Sequence, residues 1–383
     1  MLRPCAPIRI LYVIIGVNQG GTAQALLNLT SRLDRQRFHP MVCPVENREV
    51  MGVGKEMAAL GTEVLPLGHV RQPVRTVRAL VRLIRERHID VIDGLDPRSS
   101  WYARTAGVIA RVPVRISHEQ SVFHHRRWQH AVRNRLLEPV TDGFIAVSHA
   151  MKQQLVEWYG YPADKIEVIY NGVDTDRFCP PPSRREAKQR LGLDPERTVI
   201  GIVARLDPDK GYRCFLEAVQ RLRHTVDAVF LAVGSGRPDH ERQIRREADD
   251  RGVSDVVQFL GGRRDVPDCL AAFDVYVLPT VREGGPPISV LEAMATGCPV
   301  VVSDHPAMME AVEDGRNGFV VPMRDPEMLA KRVETLVRDS ALRARLGADG
   351  RRTIETQFSV ERFVQHTSEY YDRLWTNRRR GRG

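Results

Sequence analysis

The stretch that decides the fold is EGGPPISVLEAMATGCPVVVS, which occupies residues 283–303. An apolar segment at 275–279 (VYVLP) comes just before it and predicts a β-strand. Two glycines and two prolines then form a tight turn, residues 288–296 predict a short helix, and Gly297 with Pro299 ends that helix. Because the first N–H groups of such a helix are free and lie at the positive end of its dipole, the turn predicts an anion site.

Two glutamates, Glu283 and Glu292, flank this turn. Carboxylates are poor ligands for phosphate but good acceptors for hydroxyl groups. An anion site beside hydroxyl acceptors fits a phosphate joined to a polyol, which is the chemistry of a nucleotide sugar. Turns rich in glycine and proline also join strands to helices in α/β proteins that bind nothing there, so both interpretations stay open at this point.

A second stretch, VIGIVARLDPDKGY at 199–212, predicts a strand that ends in a basic loop. Arg205 and Lys210 are five residues apart across a proline-containing turn, so their side chains can converge on one point. A forked guanidinium and a lysine point charge suit a diphosphate. The alternative is a pair of solvated loop charges.

These stretches resemble the retaining glycosyltransferases with two Rossmann-like domains (the GT-B fold), and specifically glycosyltransferase family 4. Arg205 and Lys210 match the family's diphosphate-binding pair in identity and spacing. Glu283 and Glu292 bracket eight residues, one more than the family's two glutamates do. Counting back from Glu292 places the family's first glutamate on Gly284. We interpret the difference as one extra residue in the turn, because a turn absorbs an insertion and a helix does not.

Other segments follow the family's order along nearly the whole chain. The strand-like residues 8–15 lead into Gly20 and Gly21, which resemble the glycine pair that opens a helix close to the donor sugar and phosphate. His118 follows the strand-like residues 112–116 and falls where the family carries a histidine that faces the donor sugar.

The resemblance implies a full set of site residues. The residues assigned to catalysis are Arg205, Lys210, Glu283 and His118. The residues assigned to donor binding are Gly20, Gly21, Gly234, Arg264, Gly284, Gly285, Pro287, Ile288, Ser289 and Glu292. In this scheme the basic pair offsets the diphosphate charge, Glu283 holds the sugar hydroxyls and Glu292 holds the ribose hydroxyls.

The resemblance also implies a retaining reaction in which the departing phosphate assists deprotonation of the acceptor. It implies no metal and no other cofactor. Two Asp-x-Asp triplets, at 174–176 and 207–209, are compatible with a metal, but both lie in segments that the family pattern explains without one.

The fold class that follows is α/β, with two Rossmann-like domains whose parallel sheets face each other across a cleft. We expect an acceptor-side domain at 1–182 and a nucleotide-sugar domain at 183–360, joined by the proline-rich linker at 178–185. A helix at 361–376 has the periodicity to pack back on the first domain. The basic tail at 377–383 is expected to be disordered.

The composition fits two domains with separate cores, because the chain has 383 residues. No apolar run approaches the roughly 18 residues of a membrane span, and the first residues lack the apolar core of a signal peptide. Six cysteines are scattered without Cys-x-x-Cys spacing, which indicates reduced thiols. These features predict a cytoplasmic protein.

The net charge is +9, and residues 1–180 hold 24 Lys and Arg against 17 Asp and Glu. Most of the excess therefore lies in the half expected to meet the acceptor. The bases concentrate in a helical stripe and in an aromatic-basic cluster, whose residues are Arg75, Arg78, Arg82, Arg85, Arg126, Arg127 and Trp128. Such a surface suits peripheral binding to an anionic membrane at its cytosolic face, although a solvated helix face is the alternative for the stripe. No nucleic-acid-binding motif accompanies it, so we predict no nucleic acid partner.

The predicted function is a hexosyltransferase-type transfer from a nucleotide-diphosphate sugar to a hydroxyl of a glycan or lipid-linked acceptor, in bacterial-type polysaccharide or glycolipid assembly. One alternative is a nucleotide-sugar epimerase or hydrolase on the same fold, which needs an added general base. Another is a non-catalytic binding protein, whose only support is the extra residue between the glutamates. The sequence does not specify the base, the sugar, the acceptor or the oligomeric state.

Overall fold

The computed structural model describes residues 6–18, 20–68, 72–121 and 134–380, and the chain forms two compact units. The first unit consists of Met1–Gly172 together with Val360–Gly383, and the second of Val173–Ser359. The first unit thus ends ahead of residue 182, the boundary expected from the prolines. The reason is that Val173 already pairs with the end of the second unit, through a bridge to Ser359 and a 2.9 Å bond to the Phe358 carbonyl.

The first unit contains a seven-stranded parallel sheet in the order β3-β2-β1-β4-β5-β6-β7. Its strands are β1 Ile8–Ile14, β2 Phe38–Pro44, β3 Glu63–Val64, β4 Val91–Gly94, β5 Val114–Glu119, β6 Gly143–Ala146 and β7 Ile166–Val168. The helices before its C-terminal segment are α1 Gly21–Thr30, α2 Val53–Ala59, α3 Pro73–Arg87, α4 Pro97–Ala110 and α5 His149–Tyr159. Residues 10–14 of β1 are all buried without polar alternation, as expected for a strand covered on both faces.

The second unit contains a six-stranded parallel sheet in the order β10-β9-β8-β11-β12-β13. Its strands are β8 Thr198–Val203, β9 Ala228–Val233, β10 Val257–Gly261, β11 Val275–Leu278, β12 Val300–Ser303 and β13 Phe319–Val321. Its helices are α6 Arg184–Arg190, α7 Tyr212–Leu222, α8 Pro238–Asp250, α9 Val266–Ala272, α10 Ile288–Ala295, α11 Pro306–Met309, α12 Pro326–Arg338 and α13 Ser340–Gln357. Two parallel sheets with interleaved helices confirm the predicted α/β class with two Rossmann-like units.

The C-terminal helix, α14 at Val360–Arg380, belongs to the first unit. Its Tyr370 hydroxyl donates to the Phe144 carbonyl at 3.2 Å, and a Cβ at Gly143 would lie 2.1 Å from that hydroxyl. The helix continues through residues 377–380, so the prediction of disorder is wrong for these four positions. Basic side chains in a last turn interact favourably with the negative end of the helix dipole, which the sequence argument overlooked. Residues 381–383 lie outside the described part of the chain.

Each sheet has one point where the strand order reverses, between β1 and β4 in the first unit and between β8 and β11 in the second. Ligands of open parallel sheets bind outside the carboxyl ends of the strands at such a point. The loops that follow these four strands are therefore the first places to search for a site. Within the described ranges, no helix is both long and apolar enough to cross a bilayer.

Candidate functional site

Two loops of the second unit meet where its strand order reverses. The Asp209 carbonyl accepts hydrogen bonds from the Val281 N–H and from the Thr280 hydroxyl, both at 2.9 Å. Gly211, with φ of 77°, allows this approach, because a Cβ there would lie 1.9 Å from the Pro279 carbonyl oxygen. The loop after β8 is thereby joined to the loop after β11, although the two are far apart in sequence.

The joined loops bring Lys210 and Glu283 together. The Lys210 Nζ lies 2.6 Å from Glu283 Oε1, and the two side chains are only 18% and 10% exposed. The Thr280 hydroxyl lies 3.0 Å from the same carboxylate oxygen. The extra residue in the turn therefore does not separate Glu283 from Lys210. The two side chains form a charge-assisted pair that is mostly shielded from water.

Arg205 belongs to the same loop as Lys210, and its side chain is 65% exposed. Its nearest carboxylate oxygen, Oδ2 of Asp207, is 4.0 Å away, so the guanidinium is largely solvated. Gly234 packs the loop after β9 against the loop that carries Arg205. Its φ is 144°, and a Cβ there would lie 1.9 Å from the Ala204 carbonyl oxygen. Arg264 lies in the loop after β10 and is exposed.

The N-terminus of α10 follows the glycine-proline turn, as the sequence predicts. Pro287 occupies the cap position and no side chain caps the helix, so the first N–H groups stay available for an anion. Ser289 was expected to bind the donor, but its hydroxyl lies 2.9 Å from that of Tyr276. Burial raises the pKa of Tyr276 well above its usual value, so this phenol stays protonated and can donate to Ser289.

Glu292 lies on the inward face of α10 and is 7% exposed. Burial raises the pKa of its carboxyl to about 8, an effect that the positive charge of Arg177 partly opposes. The carboxyl is therefore mostly protonated at pH 7 without ligand. The sequence predicted a charged acceptor at this position, whereas the cost of desolvating the carboxylate keeps the group protonated.

His305 is a site residue that the sequence argument missed. The Glu283 N–H points to its Nε2 at 3.4 Å, and the Ala307 N–H points to its Nδ1 at 3.2 Å. Burial lowers the pKa of His305, which favours the neutral ring. A neutral imidazole has one acceptor nitrogen, so the ring can serve one of these two amides at a time. The one available signal was its position just after the end of a buried parallel strand.

The two Asp-x-Asp triplets are engaged in local structure. Asp174 accepts from the Asp176 N–H at 3.1 Å, and Asp207 accepts from the Asp209 N–H at 3.1 Å. The carboxylate of Asp209 pairs with Arg282 at 2.7 Å. In the described part of the chain, no group of three or more His, Cys, Asp or Glu residues could hold a metal ion.

The first unit contributes a second uncapped helix. Gly20 is the N-cap of α1 with φ of 121°, Gly21 is the first helical residue, and no side chain caps the helix. A Cβ at Gly20 would meet nothing within 4 Å, so conformation rather than crowding favours glycine there. The N–H groups of this turn lie at the carboxyl end of β1, beside the point where the strand order reverses.

His118 lies at the end of β5 and is completely buried in the first unit. Its Nδ1 is 3.5 Å from Asp93 Oδ2, and its Nε2 is 3.1 Å from the side-chain amide nitrogen of Gln120. Gln120 is held in turn by two hydrogen bonds with Asn171, at 2.9 and 3.2 Å. The sequence singled out His118 but missed Asp93, Gln120 and Asn171, which carry no spacing pattern.

The basic stripe, defined as Arg75, Arg78, Arg82 and Arg85 of α3, is exposed along its whole length. In the part of the chain that the structure describes, Arg82 is the one member of the stripe in an ion pair, with Glu86 of the same helix at 3.0 Å. The stripe borders a cavity of about 400 Å³ that includes Val81 and Ile109 in its lining. Arg126, Arg127 and Trp128, the core of the aromatic-basic cluster, lie outside the described residues.

Comparison with known proteins accounts for both units. Residues 183–353 match the family model described as Glycosyl transferases group 1, and residues 19–177 match the one described as Glycosyltransferase Family 4. The chain belongs to glycosyltransferase family 4. The predicted family resemblance is thereby confirmed over most of the chain.

Curated relatives of this family 4 chain match it over part of its length. A GDP-mannose-dependent alpha-(1-6)-phosphatidylinositol monomannoside mannosyltransferase of Mycobacterium tuberculosis is 32% identical over 60% of this chain and 61% of its own. A lipopolysaccharide core biosynthesis mannosyltransferase of Rhizobium meliloti is 30% identical over 54% of this chain and 60% of its own. The chain thus spans about three fifths of the length of these relatives.

Solved structures match the family 4 chain over nearly all its length. An Anabaena protein in complex with UDP has a TM-score of 0.82 at 23% identity, covering 95% of this chain and all of that one. A glycosyltransferase from Rickettsia africae has a TM-score of 0.82 at 18% identity, covering 97% and 99%. At such identities the likeness establishes the fold, which is GT-B.

Proposed function

We propose that the protein is a retaining, metal-independent glycosyltransferase that moves a sugar from a nucleotide-diphosphate sugar to an acceptor hydroxyl. The observation that carries this proposal is the Lys210–Glu283 pair at 2.6 Å, set where the strand order reverses, in loops that also carry Arg205 and lead into an uncapped helix N-terminus. These loops therefore hold cations that can bind a diphosphate and carboxyl groups that can bind hydroxyls.

The chemistry needs a stabilised leaving diphosphate and a positioned sugar. Lys210 and Arg205 offset the negative charge that develops on the leaving group, with help from the free N–H groups at the start of α10. Glu283 holds the sugar hydroxyls while Lys210 fixes its carboxylate. Since a protonated carboxyl can donate as well as accept, Glu292 can hold a ribose hydroxyl in either direction.

Metal independence is supported by the state of the acidic triplets. Their carboxylates serve as turn caps or as the partner of Arg282, and a cation would have to break those contacts. The leaving-group charge is instead assigned to protein cations that already stand at the site. Family membership supports a reaction that retains the anomeric configuration. In such a reaction the departing phosphate assists deprotonation of the acceptor.

The names of the relatives support a glycan or lipid-linked acceptor. Besides the two mannosyltransferases, a UDP-Gal:alpha-D-GlcNAc-diphosphoundecaprenol alpha-1,3-galactosyltransferase of Escherichia coli is 30% identical over 56% of each chain. These relatives differ in base and sugar, so the proposal stops at the class of nucleotide-diphosphate sugars. We assign the donor to the second unit and the acceptor to the first.

An anionic membrane surface is the proposed place of action. The basic stripe supplies exposed cations, and Val74, 62% exposed, with Ile109, 52% exposed, adds apolar groups near them. Each base close to an anionic bilayer contributes about 1 kcal/mol, so the stripe suffices for reversible attachment. A lipid-linked acceptor would be concentrated at the same surface.

Ligand-induced stabilisation tests the donor assignment. A panel of nucleotide-diphosphate sugars is added at saturation, and the stabilising member should add roughly 3 kcal/mol at 100 times its Kd. Lys210→Ala should lose this stabilisation, whereas Lys331→Ala, an exposed lysine of α12, should keep it. If no nucleotide sugar stabilises the protein, or if both lysine variants respond like the wild type, the donor site is wrong.

A further inference from the structure

A buried carboxylate lies beneath the C-terminal helix. Asp93 of β4 is completely buried, and a buried carboxylate is costly unless other groups compensate it. The Tyr371 hydroxyl of α14 donates to its Oδ2 at 2.7 Å, and His118 Nδ1 lies 3.5 Å from the same oxygen. Among the described residues, Asp93 Oδ1 and His118 Nδ1 have no hydrogen-bond partner.

The amides beside His118 are oriented for one of its two neutral tautomers. Gln120 places its amide nitrogen 3.1 Å from His118 Nε2 and exchanges two hydrogen bonds with Asn171, a pairing that would survive if both amides turned over together. An amide N–H donates, so His118 Nε2 accepts and the proton of the neutral ring is on Nδ1, facing Asp93. The Nδ1–H and the carboxylate thus face each other across a gap slightly too long for a hydrogen bond.

We propose that Asp93, held in place by Tyr371, is a positioning residue for His118 in the transfer reaction. Asp93 keeps the imidazole in the Nδ1–H tautomer and fixes its plane, so that Nε2 presents a lone pair to a hydroxyl of the donor sugar in place of Gln120. The long contact shortens when the donor binds, as hydrogen bonds of ligand-free active sites commonly do. This inference rests on the proposed function, because it assigns His118 to the donor.

The C-terminal helix then has a role beyond covering the sheet. Tyr371 follows Asp93 by 278 positions in sequence, and its hydroxyl is the one hydrogen-bond donor to Asp93 Oδ2 found in the described residues. Its neighbour Tyr370 donates to the Phe144 carbonyl instead, at 3.2 Å. The two tyrosines are buried on one helix and each donates a hydrogen bond; Tyr371 donates to Asp93 whereas Tyr370 donates to the backbone, so Tyr370 is a matched control.

The test compares three variants in turnover, donor KM and thermal stability. Asp93→Asn should lower kcat roughly 10–100-fold with little change in donor KM, because the ring is misplaced while the diphosphate site in the second unit is intact. Tyr371→Phe should lower kcat by a smaller factor in the same way. Tyr370→Phe should keep kcat while losing about as much stability as Tyr371→Phe. Equal loss of kcat in the two tyrosine variants would overturn the proposal.

Two further measurements separate positioning from a structural effect. In a His118→Gln background, Asp93→Asn should cause no further loss of kcat, and an additive loss would count against the proposal. Nitrogen-15 NMR should show His118 as the Nδ1–H tautomer in the wild type and as the Nε2–H tautomer in Asp93→Asn. An Nε2–H ring in the wild type would overturn the proposal, even if Asp93→Asn fails to fold. Because the spectrum does not depend on turnover, it also decides the matter if no transfer activity is found.

Discussion

Replacing Glu292 by glutamine should make the protein more stable at high pH and leave it unchanged at low pH. Burial raises the pKa of this carboxyl from 4.5 in the unfolded chain to about 8 in the folded protein. Below pH 4.5 the group is protonated in both states and contributes nothing. Between pH 4.5 and about 8 the unfolded chain has lost this proton while the folded protein still holds it, so stability is progressively lost, and above about pH 8 the loss is complete. Glutamine has the same shape and no proton to lose, so it removes this penalty.

The size of the stability gain in Glu292→Gln follows from the shift in the pKa of Glu292. Each pKa unit is worth about 1.4 kcal/mol, so a change from 4.5 to about 8 sets a ceiling of about 5 kcal/mol. Water that enters the site lowers this free-energy penalty. We therefore expect Glu292→Gln to gain roughly 2–4 kcal/mol of stability at pH 9, or a rise in Tm of roughly 5–15 °C for a unit of this size. Thermal unfolding of wild type and Glu292→Gln at pH 5, 7 and 9 measures it.

Glu186→Gln is the matched control, because Glu186 belongs to the same unit but is exposed. Its Tm should differ from that of the wild type by the same small amount at every pH. A Tm of Glu292→Gln that runs parallel to that of the wild type from pH 5 to pH 9 would refute the raised pKa of Glu292. In activity assays the same variant should mainly weaken nucleotide binding, since glutamine cannot become a charged acceptor for the ribose hydroxyls.

The remaining predictions concern turnover and membrane binding. Lys210→Ala and Arg205→Ala should each lower kcat by roughly 10²–10³-fold in a folded protein, because preorganised charge at the leaving group is lost; near-normal turnover in Lys210→Ala would exclude its role. Glu283→Gln should lower kcat more than it raises donor KM, since Lys210 and the sugar both lose their partner, and an unchanged kcat would show that turn backbone holds the sugar. Activity should persist in excess chelator; complete loss restored by Mg²⁺ or Mn²⁺ would show that an ion carries the leaving-group charge. Co-sedimentation with anionic vesicles should fall steeply with salt and weaken when the basic stripe is changed to glutamine; equal, negligible binding to neutral and anionic vesicles at low salt would favour a water-soluble acceptor.

Local sequence patterns predicted the elements around the site because each depends on neighbouring residues. The strand at Val275–Leu278, the helix at Ile288–Ala295 and the strand at Val300–Ser303 all follow from apolar runs and from the glycine-proline turn. Once parallel strands are assigned, their loops must emerge at one edge of a sheet. The family pattern then placed Lys210 and Glu283 in one site, and the structure shows the contact itself.

Features that depend on burial or on distant partners did not follow from the sequence. The protonation of Glu292 depends on how completely α10 is covered, and the environment of His118 depends on Tyr371, which lies on the C-terminal helix. Asp93 and His305 are isolated residues without a periodic pattern, so nothing local distinguished them. The proline-rich stretch indicated a stiff segment, but the second unit begins at Val173, which pairs with Ser359 at its other end.

The measurement that tests the central claim most directly is mass spectrometry of a transfer reaction. The protein is incubated with mixed nucleotide-diphosphate sugars and with phosphatidylinositol-type and polyprenyl-diphosphate-linked acceptors, with Lys210→Ala run in parallel. A glycosylated acceptor should appear together with an equal amount of nucleoside diphosphate, and only with the wild type. Free sugar without a glycosylated acceptor would show a hydrolase, an isomerised donor would show an epimerase, and an unchanged donor that still binds would show a non-catalytic protein. Each of these three results would contradict the proposed transfer.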